Sequence, residues 1–114
     1  MRCLIVDDSR QFLEAASVLL ERQGLIVVGT ATTSSEGLRL ADELRPEVVI
    51  VDVRLGDESG FELARKLSQT VILISTYSEA EYAEQVARTP AAGFIPKSEL
   101  SAGAIRLLLR GGEE

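Results

Sequence analysis

The stretch Cys3-Leu4-Ile5-Val6-Asp7-Asp8 sets four apolar residues in a row and follows them at once with two carboxylates. An apolar run without polar alternation suits a strand covered on both faces, which is how the strands of parallel sheets are placed. The same form recurs at Leu25 to Val28, Val48 to Val51, Val71 to Ile74 and, more briefly, Phe94 to Ile95. Segments of helical period lie between these runs. Leu13, Ala16, Ser17 and Leu20 fall at i, i+3, i+4 and i+7, as do Gly37, Leu40, Ala41 and Leu44, and again Gly60, Leu63, Ala64 and Leu67. Each set gives a helix one stripe to lay on a sheet. Thr33 to Glu36, Ser59 to Glu62 and Ser78 to Glu81 have capping-box spacing, and Gly24 and Gly111 stand where helix C-caps are expected. A fourth helix is expected over about Glu79 to Ala87. The alternation predicts one α/β domain over residues 1–114, built on a parallel sheet.

The 114 residues are 46% hydrophobic, enough for a core of their own. Net charge is −6, with 18 acidic residues against 12 basic, so no long-range field draws this surface to nucleic acid or anionic lipid. Cys3 is the only cysteine and sits in an apolar run, which excludes a disulfide framework and fits a reducing compartment. The N-terminus lacks the long apolar run and small-residue cleavage site of an export signal. The chain is therefore expected in the cytoplasm, without direct nucleic acid or membrane binding.

Ligands of open parallel sheets bind outside the carboxyl ends of the strands. The first run ends in Asp7-Asp8, the third in Asp52, the fourth in Ser75-Thr76, and Lys97 follows the fifth by two residues. Each alone has a bland reading: a helix N-cap at Asp8 or Ser9, a turn residue at Asp52, a loop hydroxyl at Ser75, a solvated charge at Lys97. Those readings do not explain why all of them fall at the same end of their strands. Carboxylates within about 5 Å of each other repel by roughly 3 kcal/mol per pair at an effective dielectric near 20, so three of them call for a cation. Oxygen ligands select Mg²⁺ or Ca²⁺, and few protein ligands with room for waters and a phosphate favour Mg²⁺. An aspartate flanked by a metal, an ammonium and a hydroxyl is suited to attack phosphorus and form an acyl phosphate.

At this point the sequence resembles the receiver domain of bacterial response regulators along essentially its whole length. Leu4-Ile5-Val6-Asp7-Asp8 is similar to the family's acidic pair, and Val48 to Asp52, with Gly60 eight residues on, to its phosphoacceptor strand and loop. Leu73-Ile74-Ser75-Thr76 resembles the switch-hydroxyl strand, and Gly93-Phe94-Ile95-Pro96-Lys97 the segment that ends in the family's lysine. The resemblance implies a flavodoxin-like doubly wound (βα)5 fold with strand order 2-1-3-4-5. It implies that Asp52 takes a phosphoryl group from a sensor histidine kinase, and that Asp7, Asp8, Asp52 and the backbone carbonyl of Arg54 hold Mg²⁺. Ser75 and Lys97 would grip the phosphoryl oxygens, and Phe94 would turn as Ser75 is drawn inward. Such a module catalyses only its own phosphotransfer and dephosphorylation. It acts through a surface made by the fourth helix, fifth strand and fifth helix, on an output domain, a protein partner or a second copy.

The sequence departs from the family in places. Leu55-Gly56 stands where Met-Pro is common, which loosens the expected loop. Ser98 follows Lys97 in place of proline, so a trans peptide is expected there, with Ser98 available to cap the last helix. Thr76 is bulkier than usual, and Arg54 and Tyr77 occupy positions that tune phosphoryl lifetime in the family. The chain ends four residues after Arg110, which leaves open a stand-alone receiver or one cut from a longer DNA-binding regulator. Rival classes fit less well. A phosphatase with an aspartyl-phosphate intermediate calls for Asp-x-Asp and a cap insertion, and a flavin-binding relative for a Ser/Thr/Gly-rich first loop. A receiver-like module that is not phosphorylated would have no need of the complete acidic pair, acceptor and lysine.

Overall fold

A computed structural model describes residues 1–110. Five strands form one sheet: β1 (Arg2–Val6), β2 (Ile26–Ala31), β3 (Val48–Asp52), β4 (Thr70–Ser75) and β5 (Gly93–Pro96). All neighbours are parallel and the order is β2-β1-β3-β4-β5, the flavodoxin-like order that was expected. The helices are α1 (Arg10–Arg22), α2 (Ser34–Leu44), α3 (Gly60–Lys66), α4 (Ala83–Ala87) and α5 (Ala102–Arg110).

Apolar residues at both parities of each strand explain the two covered faces. Cys3, Ile5, Val48, Ile50, Ile72, Ile74 and Ile95 pack with Leu13, Ala16 and Leu20 of α1 and Ala102 and Ile105 of α5. Their strand neighbours Leu4, Val6, Val49, Val51, Val71, Leu73 and Phe94 pack on the other side with Ala41 of α2 and Phe61, Leu63 and Ala64 of α3. A strand that is apolar at every position has no face left for water, so helices must cover both.

Several boundaries move for local reasons. Leu25 is not the first residue of β2. Its N–H bonds to the Leu20 carbonyl and that of Gly24 to Glu21, a Schellman ending for α1 in which Gly24 adopts φ +96°. The strand runs on instead through Gly29, Thr30 and Ala31, which pair with Leu4, Ile5 and Val6. Ser17 belongs to the stripe of α1 through a hydroxyl bonded to the Leu13 carbonyl (2.7 Å), not as an apolar residue. Leu67 has extended backbone and falls just outside α3.

Thr33 and Ser59 cap their helices by accepting from the N–H groups of Glu36 and Glu62, while Glu36 accepts from Thr32 rather than closing the box on Thr33. Ser78 makes no side-chain cap, and Glu79–Tyr82 is a 3-10 turn leading into α4, neither of which contains a buried residue. The last helix is capped by Ser101, whose Oγ accepts from the Ala104 N–H (3.0 Å), not by Ser98, which sits in the 3-10 turn Lys97–Glu99. The peptide between Lys97 and Ser98 is trans. The C-cap expected at Gly111 lies outside the described residues. Among those described, no helix is long and apolar enough to cross a membrane.

The segment after β3 is tighter than a loosened loop. Arg54–Leu55 pairs antiparallel with Glu58–Ser59, closing a small hairpin at Gly56, which has φ +62°. Two ties hold it: the Gly56 N–H donates to Asp8 Oδ2 (3.1 Å), and Glu58 Oε1 accepts from the Ser34 N–H at the start of α2 (3.0 Å). The second places a carboxylate at the positive end of that helix.

Candidate functional site

The carboxyl edge of the sheet gathers the residues singled out above. Asp7 follows β1 immediately and is fully buried, and its backbone N–H bonds to the Ala31 carbonyl of β2. Asp8, one residue on, is exposed at the mouth of the site. Asp52 is the last residue of β3, Ser75 the last of β4, and both are buried. Lys97 leaves β5 after Pro96, which pairs with Ser75. A cleft of about 260 Å³ opens above them, lined by Asp8, Asp52, Gly56, Ser75, Tyr77 and Lys97 with Arg54 and Thr76.

One oxygen from each of Asp7, Asp8 and Asp52 lies within 4.8 Å of the others. The Lys97 ammonium stands 2.7 Å from Asp7 Oδ2 and 3.0 Å from Asp52 Oδ2. The remaining carboxylate oxygens are held by backbone: Asp7 Oδ1 accepts from Ser9 (2.9 Å) and Asp52 Oδ1 from Arg54 (3.2 Å). Ser9, not Asp8, caps α1, through Oγ and the Phe12 N–H.

Burial pushes the Asp52 carboxyl up to about 6; the Arg54 N–H pulls it down, the Asp7 charge pushes it up and Lys97 pulls it down again. Burial also opposes the Lys97 charge, but its bonds and charge attraction to Asp7 and Asp52 outweigh that, so the ammonium is held above its ordinary value. A single ammonium serves two buried carboxylates, and one positive charge cannot neutralise both.

That excess suits a cation. Asp7 Oδ2 is buried with no aligned hydrogen-bond donor, having only the neighbouring ammonium as a partner. All three donors are hard carboxylate oxygens, the kind that hold Mg²⁺. The residues present therefore fit the metal.

The two remaining residues lie as follows. The Ser75 hydroxyl accepts from the Tyr77 N–H (3.1 Å), so it is engaged by its own turn. Phe94 is 7% exposed and part of the core on the α2 and α3 side, with Leu73 as its β4 partner. It lies inward.

Sequence reading missed three contributors. Phe12 of α1 places its ring under the Lys97 ammonium, 4.4 Å from centroid to Nζ. Four residues past the acidic pair, it falls outside the stripe of Leu13, Ala16, Ser17 and Leu20 assigned to that helix. Gly56 and Glu58 tie the hairpin to Asp8 and to α2 across 48 and 24 residues, and no local signal marks such pairings.

A doubly wound sheet with three carboxylates and a lysine at the ends of its strands defines a class of small α/β domains whose site sits at the point where strand order reverses. Residues 3–108 match the family model of the response regulator receiver domain, and the chain belongs to that family. It is similar to the response regulator GacA of Pseudomonas viridiflava, 32% identical over 120 aligned residues that cover 97% of this chain and 56% of that one. The chain spans about half the length of the curated relatives it matches. Among solved structures, a two-component response regulator of the LuxR family from an Aurantimonas species superposes with a TM-score of 0.85 at 27% identity, covering 96% of this chain and 85% of that one. The response regulator domain of Thermotoga maritima CheB superposes with a TM-score of 0.74 at 28% identity, covering 99% and 91%.

Proposed function

We propose that this receiver is switched by a phosphoryl group on Asp52, taken from a sensor histidine kinase with Mg²⁺ bound. The observation that carries the reading is the Lys97 ammonium lying 3.0 Å from Asp52 Oδ2 while Asp7 and Asp8 crowd the same carboxylate. An Asp52 oxygen forms a bond to phosphorus as the P–N bond of the donor phosphohistidine breaks, and the imidazole leaves with the bonding pair. Asp7, Asp8, Asp52 and the Arg54 carbonyl would hold the metal, which would supply positive charge against the phosphoryl oxygens. Lys97 turns its ammonium to one of those oxygens, and Ser75 donates its hydroxyl to another. Water then attacks phosphorus, the P–O bond to Asp52 breaks and inorganic phosphate leaves, which clears the signal, so the chain catalyses only its own phosphotransfer and dephosphorylation.

The new dianion carries about −1.5 to −2 charge. Drawing Ser75 toward it releases the Tyr77 N–H and opens space beside Phe94, and the change passes to the face of α4, β5 and α5. That face engages an output domain, a protein partner or a second copy. With a net charge of −6 the module works through protein contacts rather than nucleic acid, in the cytoplasm where its kinase presents its phosphohistidine.

The test is incubation with Mg²⁺ and acetyl phosphate followed by intact mass and peptide mapping. A gain of one phosphoryl group on Asp52 is expected. No gain, or a gain elsewhere, refutes the reading.

A further inference from the structure

The Lys97 ammonium has neighbours on more than its carboxylate side. Asp7 Oδ2 and Asp52 Oδ2 take up two directions, at 2.7 and 3.0 Å, and the face of the Phe12 ring stands 4.4 Å away. Phe12 comes from α1, four residues past the acidic pair, and is half-buried against the core shared by α1 and α5. Its backbone is fixed as well, since its N–H is the one that the Ser9 cap receives (3.2 Å).

A lysine stem is flexible and its head is strongly hydrated, so an ammonium with one side open to water samples many positions. An aromatic face closes such a side without neutralising the charge. The ring quadrupole attracts the cation, accepts no proton and competes with no carboxylate oxygen. The full charge stays aimed at Asp7 and Asp52. We propose that Phe12 is a positioning residue for Lys97, a cation–π platform that keeps the ammonium over the acceptor carboxylate during phosphoryl transfer.

This rests on Asp52 being the acceptor, and the test separates the two. Labelling rates with acetyl phosphate and Mg²⁺ are compared for the wild-type chain, Phe12→Leu, Phe12→Met and Phe12→Tyr, with the Lys97 ε-methylene resonances followed by NMR. The two ringless variants should label about tenfold more slowly, and Phe12→Tyr should stay within about twofold of wild type. The wild-type ε-methylene should show an upfield ring-current shift that Tyr keeps and Leu and Met lose. Should Leu not fold, Met decides. Ringless variants that label at the wild-type rate would overturn the proposal alone, as would Tyr slowing as much as Leu, which indicates simple packing. Wild type that takes no label refutes the acceptor reading, and this proposal with it.

Discussion

Gly60 lies directly against the backbone of Asp52: a Cβ at Gly60 would overlap the Asp52 carbonyl oxygen and stand 2.8 Å from its carbonyl carbon and from Val53 Cα. The Gly60 N–H closes the same contact on the Val53 carbonyl (2.9 Å). Because the obstruction is backbone, no rotamer change relieves it. Gly60→Ala should destabilise the fold by about 3 kcal/mol or more by overpacking and displace Asp52. Urea melts give the first number and the labelling rate the second. A variant that melts like wild type would show that α3 shifts freely and that the glycine is not required.

Asp52 also predicts a pH dependence. In the metal-free fold its carboxyl is raised from 3.8 to about 6, so between those values the folded state binds more protons than the unfolded one. Stability then falls as pH rises through that window. Asp52→Asn removes this loss, so at pH 7 in chelator the variant should exceed wild type by about 1 to 3 kcal/mol, with little difference at pH 4. It should take no label. Lys97 acts in the same direction but in a far more alkaline window: being raised, its contribution is intact below 10.5 and disappears only as pH climbs through its higher folded value. An Asn variant no more stable than wild type at pH 7 would show Asp52 to be compensated without a metal.

Magnesium should reverse that penalty. Binding to the folded state alone at ten times the dissociation constant adds about 1.4 kcal/mol and raises the melting temperature by several degrees. Asp8→Asn should lose most of this rise. A full rise in the variant would remove Asp8 from the ligand set.

Glu58 offers a test of the hairpin. Its carboxylate accepts from the Ser34 N–H, so Glu58→Gln should cost about 0.5 to 1 kcal/mol and speed amide exchange at Ser34 and Gly56. Exchange unchanged at Gly56 would mean that Asp8 holds the hairpin without help from α2.

The switch is checked with a beryllofluoride mimic of the phosphoryl group. Ser75 should give up the Tyr77 N–H, and shifts should extend along residues 80–87 and 100–109. Since Phe94 is already 7% exposed, its own aromatic resonances should move less than those of α4. Shifts confined to the residues around Asp52 would break the proposed coupling.

By itself the sequence determined the sheet, its two covered faces and the edge where the polar residues that end the strands gather. Strands apolar at both parities need helices on both sides, and polar residues that end such strands share one edge by the direction of the chain. Asp7, Asp8, Asp52, Ser75 and Lys97 were legible for that reason. Caps were legible where a side chain meets its own helix, as at Thr33 and Ser59. They were misplaced at Ser78, which a 3-10 turn follows, and at Ser98, which lies inside one, because spacing alone does not tell the two helix types apart. Only the tertiary structure decided what depends on distant backbone. The Phe12 ring under Lys97, the Gly56 and Glu58 ties and the inward Phe94 each join residues from separate elements. A period of 2 or 3.6 says which face a side chain takes, but what waits on that face is set by how the layers stack.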